Sequence, residues 1–341
     1  MRAVWFASHG DPDVLEVGEL PRPEPGPGEV RVRVRASSLN HLDLWVRRGL
    51  PIEIPMPHIG GSDIAGEVDA AGPGAEAVEV GTRVVVDPSL HWDWYEGVRR
   101  GEGVPAPAFQ VIGEHTQGGF AEYAVVPAAN LVPLPEGCSF AEAAATSLVA
   151  VTAWRGLVTR AALRPGERVL VTGGSGGVST MAIQIARLAG SEVFALTSGA
   201  ENVRRLHELG AHHAIDRLAG EPADLLRKAL GRRGVDVVLD SVGEVLWGTL
   251  LRSLAPGGRL VCYGATTGHL GRTDLRHLFW KQLSILGSTM GSPGEFEAVM
   301  GRVFAGELRA VIHSRIGLGG VPEAHRLLEE GEVFGKIVVE P

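Results

Sequence analysis

The chain has 341 residues, 45% hydrophobic and 21% charged, with a net charge of −8 and only two cysteines. That length supports two domains with their own cores, while the acidic balance offers no basic face to nucleic acid. Two thiols cannot build a disulfide framework or a thiolate zinc knot, and no run of about 18 apolar residues marks a membrane span.

The opening MRAVWFASHGDPDVLE interrupts any signal-peptide core with acids and a proline, so a cytoplasmic setting is expected. Three lysines among 32 basic residues, with three asparagines in all, hint at a hot habitat or GC-rich coding.

The N-terminal third reads as β-rich. A first strand at 2–6 precedes the loop PRPEPGPG, and 29–37 alternates Val30, Val32, Val34 and Ala36 against Arg31, Arg33 and Arg35, a strand with one wet face. NHLDLWVRR at 40–48 predicts a short helix ending at Gly49, and strands follow at 64–71, 82–86 and 120–126.

From Ala141 the pattern changes to helices alternating with parallel-type strands. A helix at 141–158 leads to strands at 168–172, 192–197, 213–216, 235–240, 259–263 and 284–287, with amphipathic helices between them. Two more helices (294–305 and 322–330) and a strand, 336–339, close the pattern. Strand–helix alternation predicts an α/β fold with a doubly wound parallel sheet.

The organising stretch is ERVLVTGGSGGVSTMAIQIARLAG, a buried strand, a glycine turn and a helix. A pyrophosphate needs backbone N–H groups, no Cβ in its way and the positive end of a helix dipole, and this unit supplies all three. Gly174, Ser175, Gly176, Gly177 and Val178 are therefore the cofactor-binding candidates on the turn. The third glycine of the G-x-G-x-x-G pattern is replaced by Ser179.

The order of these parts resembles the medium-chain dehydrogenase/reductase superfamily, through VRVRASSLNHLDLWVRRG, HIGGSDIAGEV, TQGGFAEYAVVPAANLVPLP, TAW at 152–154, the glycine unit, GVDVVLDSVG, GGRLVCYGATTG and FGKIVV. The resemblance implies a GroES-like catalytic domain at 1–135 and 288–341, and a Rossmann dinucleotide-binding domain at 136–287. It implies an NAD(P)H-dependent oxidoreductase acting on a small molecule, assembled as a homodimer or homotetramer through the last strand of the nucleotide sheet, LSILGSTM.

Within that resemblance, the catalytic zinc ligands of the zinc enzymes fall on Asn40, Ser62 and Leu148, which are poor or impossible zinc donors, so no catalytic zinc is expected. The four structural-zinc cysteines fall on Trp92, Tyr95, Val98 and Ala106, in a loop that looks like an apolar replacement for a metal knot. Its His91, Asp93, Glu96, Glu114 and His115 read as solvated loop polars, the alternative being ligands of a different ion. Without a Lewis acid the reductase direction is favoured, with hydride passing to a quinone, enone or other carbonyl. The alternatives are an alcohol or aldehyde dehydrogenase of the zinc type and a non-catalytic NADPH-binding protein.

Asn40, Asp43 and Ser62 are the catalytic candidates; Asn40 is either a donor to ribose or substrate, or a helix N-cap. His41 and His58 read as packing or surface histidines, and Lys336 as a surface lysine. Thr152, Gly264 and Ala265 are placed near the nicotinamide by the resemblance. The second strand of the nucleotide domain ends in Thr197 and Ser198 with no acid before Glu201, which favours NADP(H) over NAD(H) and offers Arg204 or Arg205 as phosphate partners.

Overall fold

The computed structural model describes residues 1–100 and 108–341. The chain divides into two compact units, Met1–Leu148 with Gly291–Pro341, and Val149–Met290. No helix among the described residues is long and apolar enough to cross a membrane.

The first unit begins with a two-stranded ribbon, β1 (Arg2–Trp5) and β2 (Glu16–Glu19), and then enters β3 (Glu29–Ser38), the strand on which the unit is built. After β3 come α1 (His41–Arg48), β4 (Asp63–Ala71), β5 (Arg83–Val86), the short pair β6 (Ser89–Leu90) and β7 (Gln110–Val111) flanking α2 (Asp93–Arg100), then β8 (Tyr123–Pro127) and β9 (Leu131–Pro133). One edge of β3 pairs with β4; the other pairs with β8 along Glu29–Arg33 and with the chain's last strand at Ser37 and Ser38.

Val30, Val32, Val34, Ile64, Val84 and Val126 fill the core under this sheet, as the alternation of β3 requires. Its arginine face is not wholly wet. Arg31 is buried because Asp69 (2.6 Å) and Glu24 (2.7 Å) neutralise its guanidinium. The strand expected at 120–126 begins later, since Ala121 leaves the ladder to bridge Ala3.

Helix α3 (Phe140–Trp154) continues as a π-helix over Arg155–Arg160, so the helix expected to run regularly to 158 changes pitch. Gly156 lies in that wide turn, where a Cβ would stand 2.7 Å from Leu239 Cδ1.

The second unit alternates strand and helix: β10 (Arg168–Val171), α4 (Gly177–Leu188), β11 (Glu192–Thr197), α5 (Ala200–Leu209), β12 (His213–Asp216), α6 (Pro222–Leu230), β13 (Val235–Asp240), α7 (Trp247–Ser253), β14 (Leu254–Cys262), α8 (Leu275–Trp280) and β15 (Ser284–Gly287). All six strands are parallel in the order β12-β11-β10-β13-β14-β15, the doubly wound topology whose ligands sit at the carboxyl ends of the strands. Leu170, Phe194, Val238, Leu250 and Leu260 are fully buried in its core.

The return segment carries α9 (Pro293–Phe304), β16 (Ile312–Ile316), α10 (Val321–Glu330) and β17 (Lys336–Val339). β17 lies between β16 and β3, which completes the seven-stranded sheet of the first unit.

Candidate active site

In the second unit the turn after β10 is made of backbone. Gly173 takes φ +56°, a left-handed conformation that favours glycine. At Gly174 a Cβ would stand 2.9 Å from Leu206 Cδ1 and 3.2 Å from the Leu196 carbonyl, so any side chain would have to push both aside. Gly176 caps α4 in extended conformation, and Ser175 to Val178 stay half-exposed around the helix start. A cradle of peptide groups at a helix N-terminus fits a pyrophosphate.

Ser179, at the third glycine position, is buried and donates its hydroxyl to the Thr172 carbonyl at 2.8 Å. Close helix-to-strand packing is replaced there by a hydrogen bond. Thr172 in turn donates to Asp240 Oδ1 at 2.6 Å, and Asp240 accepts the N–H groups of Val242 and Gly243 at 3.1 and 3.0 Å. These bonds fix the ends of β10 and β13 together.

At the end of β11, Thr197 is buried and Ser198 half-exposed. Arg204 does not stand ready for a phosphate: its guanidinium is shared between Glu201, at 2.5 and 3.0 Å, and Glu208. Arg205 is half-buried on the same helix. The arginine beside the strand end is Arg217, after β12, whose Nε donates to Ser198 Oγ at 2.6 Å. Its neighbour Asp216 accepts the Gly199 N–H at 2.8 Å, so the last residue of β12 and the one after it both serve the end of β11. Thr152 is buried with Oγ1 3.9 Å from Met290 Sδ. Gly264 presses on Ser241, where a Cβ would be 3.2 Å away, and Ala265 is exposed.

In the first unit a polar cluster forms around Asp63, and sheet register is its cause. Ser38 at the end of β3 pairs with Asp63 of β4 on one side and Val338 of β17 on the other. Asp63 is completely buried and Lys336 is 3% exposed. Lys336, expected at the surface, is instead an internal ion-pair partner, because β17 is an inner strand: its Nζ donates to Asp63 Oδ2 at 3.0 Å and to Asn40 Oδ1.

The same Asp63 oxygen accepts Ser38 Oγ at 2.6 Å and Asn40 Nδ2 at 2.8 Å, while Oδ1 accepts the Leu148 N–H at 2.8 Å. An ammonium can only donate, so the Asn40 carbonyl must face Lys336 and its NH₂ must face Asp63. One amide hydrogen of Asn40 then remains. Asn40 is also the N-cap of α1, as one of its two sequence readings expects.

Asp43 accepts the N–H groups of Asn40 (2.7 Å) and Gly61 (2.9 Å), and burial nevertheless pushes its carboxyl up to about 6. Ser62 is fully buried and its hydroxyl has no partner among the described residues. His58 is buried, donates Nε2 to the Gly113 carbonyl at 3.1 Å and is kept neutral by burial, a packing histidine; His41 is exposed.

This donor set does not fit zinc. Leu148 contributes a backbone donor and a hydrocarbon, both ends of the Asn40 amide are engaged, and a cation already sits on the carboxylate. Among the described residues no three His, Cys, Asp or Glu side chains gather as a metal site.

In the 88–115 loop the rings of Trp92, Tyr95 and Phe109 meet pairwise at centroid separations of 4.9 to 5.4 Å, with Trp92 buried and the other two half-buried. Val98, expected in that knot, points to solvent on the wet face of α2, and Ala106 lies outside the described residues. Sequence reasoning gives no role in the site to Lys336, Asp63, Arg217 or Glu114. For Lys336 a signal exists, since it is one of three lysines in an arginine-rich chain.

Comparison with known proteins agrees with this architecture. Residues 26–136 match the family described as alcohol dehydrogenase GroES-like domain, and residues 177–305 match zinc-binding dehydrogenase. A quinone oxidoreductase of Pseudomonas aeruginosa is 31% identical over 100% of this chain and 99% of its own. Among solved structures, an NAD-dependent alcohol dehydrogenase is 43% identical with TM-score 0.92, both chains covered in full. A cobalt- and zinc-bound thermostable alcohol dehydrogenase from Pyrobaculum aerophilum is 37% identical with TM-score 0.88, covering 100% of this chain and 99% of that one. The chain belongs to the medium-chain dehydrogenase/reductase superfamily and is an NAD(P)H-dependent oxidoreductase.

Proposed function

We propose that this oxidoreductase reduces a quinone, an enone or another electrophilic carbonyl compound with NADPH in preference to NADH, and does so without a catalytic zinc. The observation that carries the reading is the Lys336 ammonium bonded to Asn40 and Asp63, where the zinc relatives are expected to place their metal ligands.

A bound reduced nicotinamide supplies the hydride; the chain's own part is binding, alignment and charge. The glycine turn and the α4 N-terminus would hold the pyrophosphate, and Arg217 beside Ser198 would hold a 2′-phosphate in the role expected of Arg204. Asn40, its amide sense fixed by Lys336, has one N–H left to donate to an oxygen that gains negative charge during reduction. An electrophilic acceptor needs this much and no Lewis acid, whereas an alcohol would need its proton removed at neutral pH.

A second reading, a metal-dependent alcohol dehydrogenase, is supported by likeness to the cobalt- and zinc-bound neighbour. Copies are proposed to pair through the β15 edge, supported by Trp280 (83% exposed), Phe279 (66%) and Leu275 (68%) beside it.

One experiment tests these readings. Purified protein, its mass in solution measured, is assayed with NADPH and NADH against quinones, enones and alcohols, before and after chelation. NADPH oxidation by a quinone or enone, unaffected by the chelator, is expected. Activity confined to alcohols, or lost on chelation and restored by Zn²⁺, overturns the zinc-free reductase, and a monomer dismisses the pairing.

A further inference from the structure

The turn between β7 and β8 brings near Asp43 a carboxyl that nothing above uses. Gly113 packs so tightly on Gly61 and Ser62 that a Cβ would lie 2.7–2.9 Å from their backbone atoms. Its carbonyl is held by His58 at 3.1 Å, and the turn is closed by Gly113 N–H to the Thr116 carbonyl at 3.1 Å. The next residue, Glu114, is thereby fixed beside the Gly61–Ser62 segment that also anchors Asp43.

Its side chain is 16% exposed, enough for one oxygen to reach solvent or a ligand. Among the described residues it makes no hydrogen bond, only a 3.5 Å contact with His115 Nδ1.

Asp43 and Glu114 divide the labour of a carboxyl pair. Both oxygens of Asp43 already accept backbone N–H groups, so it is a positioning group. Glu114 has no such commitments. We propose that Glu114 is the proton donor of the reaction. As hydride adds to the acceptor and its π electrons move to the neighbouring carbon or oxygen, the Glu114 O–H bond breaks. Its proton completes the new C–H or O–H bond, and solvent re-protonates the carboxylate.

Burial and the nearby Asp43 charge push Glu114 up to about 7, the range in which a carboxylic acid donates efficiently at neutral pH. The other titratable groups around it leave that value in place. His115, on its own turn, and His58, behind Gly113, are both driven toward the neutral form by burial, and Lys336 on β17 bears on Asp43.

The proposal rests on the reductase reading, so its test needs a measurement that survives failure of that reading. Wild type, Glu114→Gln, Glu114→Asp and Asp43→Asn are compared in the pH dependence of kcat/KM for enone reduction. In parallel, carboxyl ionisation is followed by infrared difference spectroscopy in cofactor-free protein carrying Asp87→Asn throughout, because burial pushes Asp87 up to about 7 as well. The wild type is expected to lose rate above pH about 7, and a carboxyl should titrate there without cofactor.

Glu114→Gln should remove that titration, flatten the alkaline limb and lower kcat/KM about 100-fold, with NADPH affinity unchanged; Glu114→Asp should restore part of the rate. A Glu114→Gln enzyme with the wild-type pH profile overturns the proposal, as does a rate loss with the alkaline limb intact. If no acceptor is reduced, the reductase reading fails, and a carboxyl titration near 7 that persists in Glu114→Gln would still refute the assignment.

Discussion

The glycine turn of the second unit and the Asp63 cluster of the first are built on opposite principles. The turn is backbone: Gly173, Gly174 and Gly176 make a surface by having no side chains, and the elements that hold it are neighbours in sequence. The cluster is side chain: Ser38, Asn40, Asp63 and Lys336 meet only because β3, β4 and β17 pair in one register. A backbone site is robust to distant change and fragile to local bulk. A side-chain site holds buried charge that must stay matched.

The largest expected effect strikes the matched charge. Lys336→Met leaves the fully buried Asp63 carboxylate without its cation and should cost about 3–5 kcal/mol of stability. Adding Asp63→Asn should recover much of that loss in chemical denaturation, because the orphaned charge goes with it. If Lys336→Met melts like the wild type, the cluster is not held by charge and the contrast with the turn fails.

Next in size is the end of β11, where a side chain rather than backbone would meet the cofactor. Arg217→Ala should weaken NADPH binding by about 10- to 100-fold, the worth of a lost charged hydrogen bond, and leave NADH unchanged by calorimetric titration. Arg204→Ala, whose guanidinium is occupied by Glu201 and Glu208, should leave the preference where it was. A shift with Arg204 and none with Arg217 would return the phosphate to α5.

The smallest effect sharpens the contrast between matched and unmatched carboxylates. Asp87 is buried like Asp63 but has no cationic partner among the described residues, and burial pushes it up to about 7. Because the folded state keeps its proton after the unfolded chain has lost it, stability falls as pH rises from about 4 through 7. Asp87→Asn should therefore match wild type at about pH 4 and exceed it at pH 8 by at least about 1–2 kcal/mol. Equal melting temperatures at both pH values would show that Asp87 ionises without penalty.

Legibility follows the same division. The α/β order, the turn residues 174–178 and the strand end at Thr197 and Ser198 are readable because each depends on neighbours in sequence. The sequence reads Lys336 as surface-exposed because nothing near KIVV tells which strands flank it. Glu114 likewise reads as a loop polar, since the packing of Gly113 on Gly61 that fixes it spans residues far apart in the chain. Arg204 reads as a phosphate ligand by proximity to the strand end; its i−3 and i+4 glutamates, visible in the sequence, are the local competition that claims it.

The position of β17 against β3 also bears on the order of assembly. Ser38 waits for a partner 300 residues later in the chain, and every element of the nucleotide domain is synthesised between them. Until the return segment emerges, the Ser37–Ser38 end of that edge of β3 is open and Asp63 lacks its ammonium. Folding from the N-terminus should therefore stall at a half-built first sheet, and a ribosome-bound fragment ending near residue 290 should be protease-sensitive there while its nucleotide domain already resists.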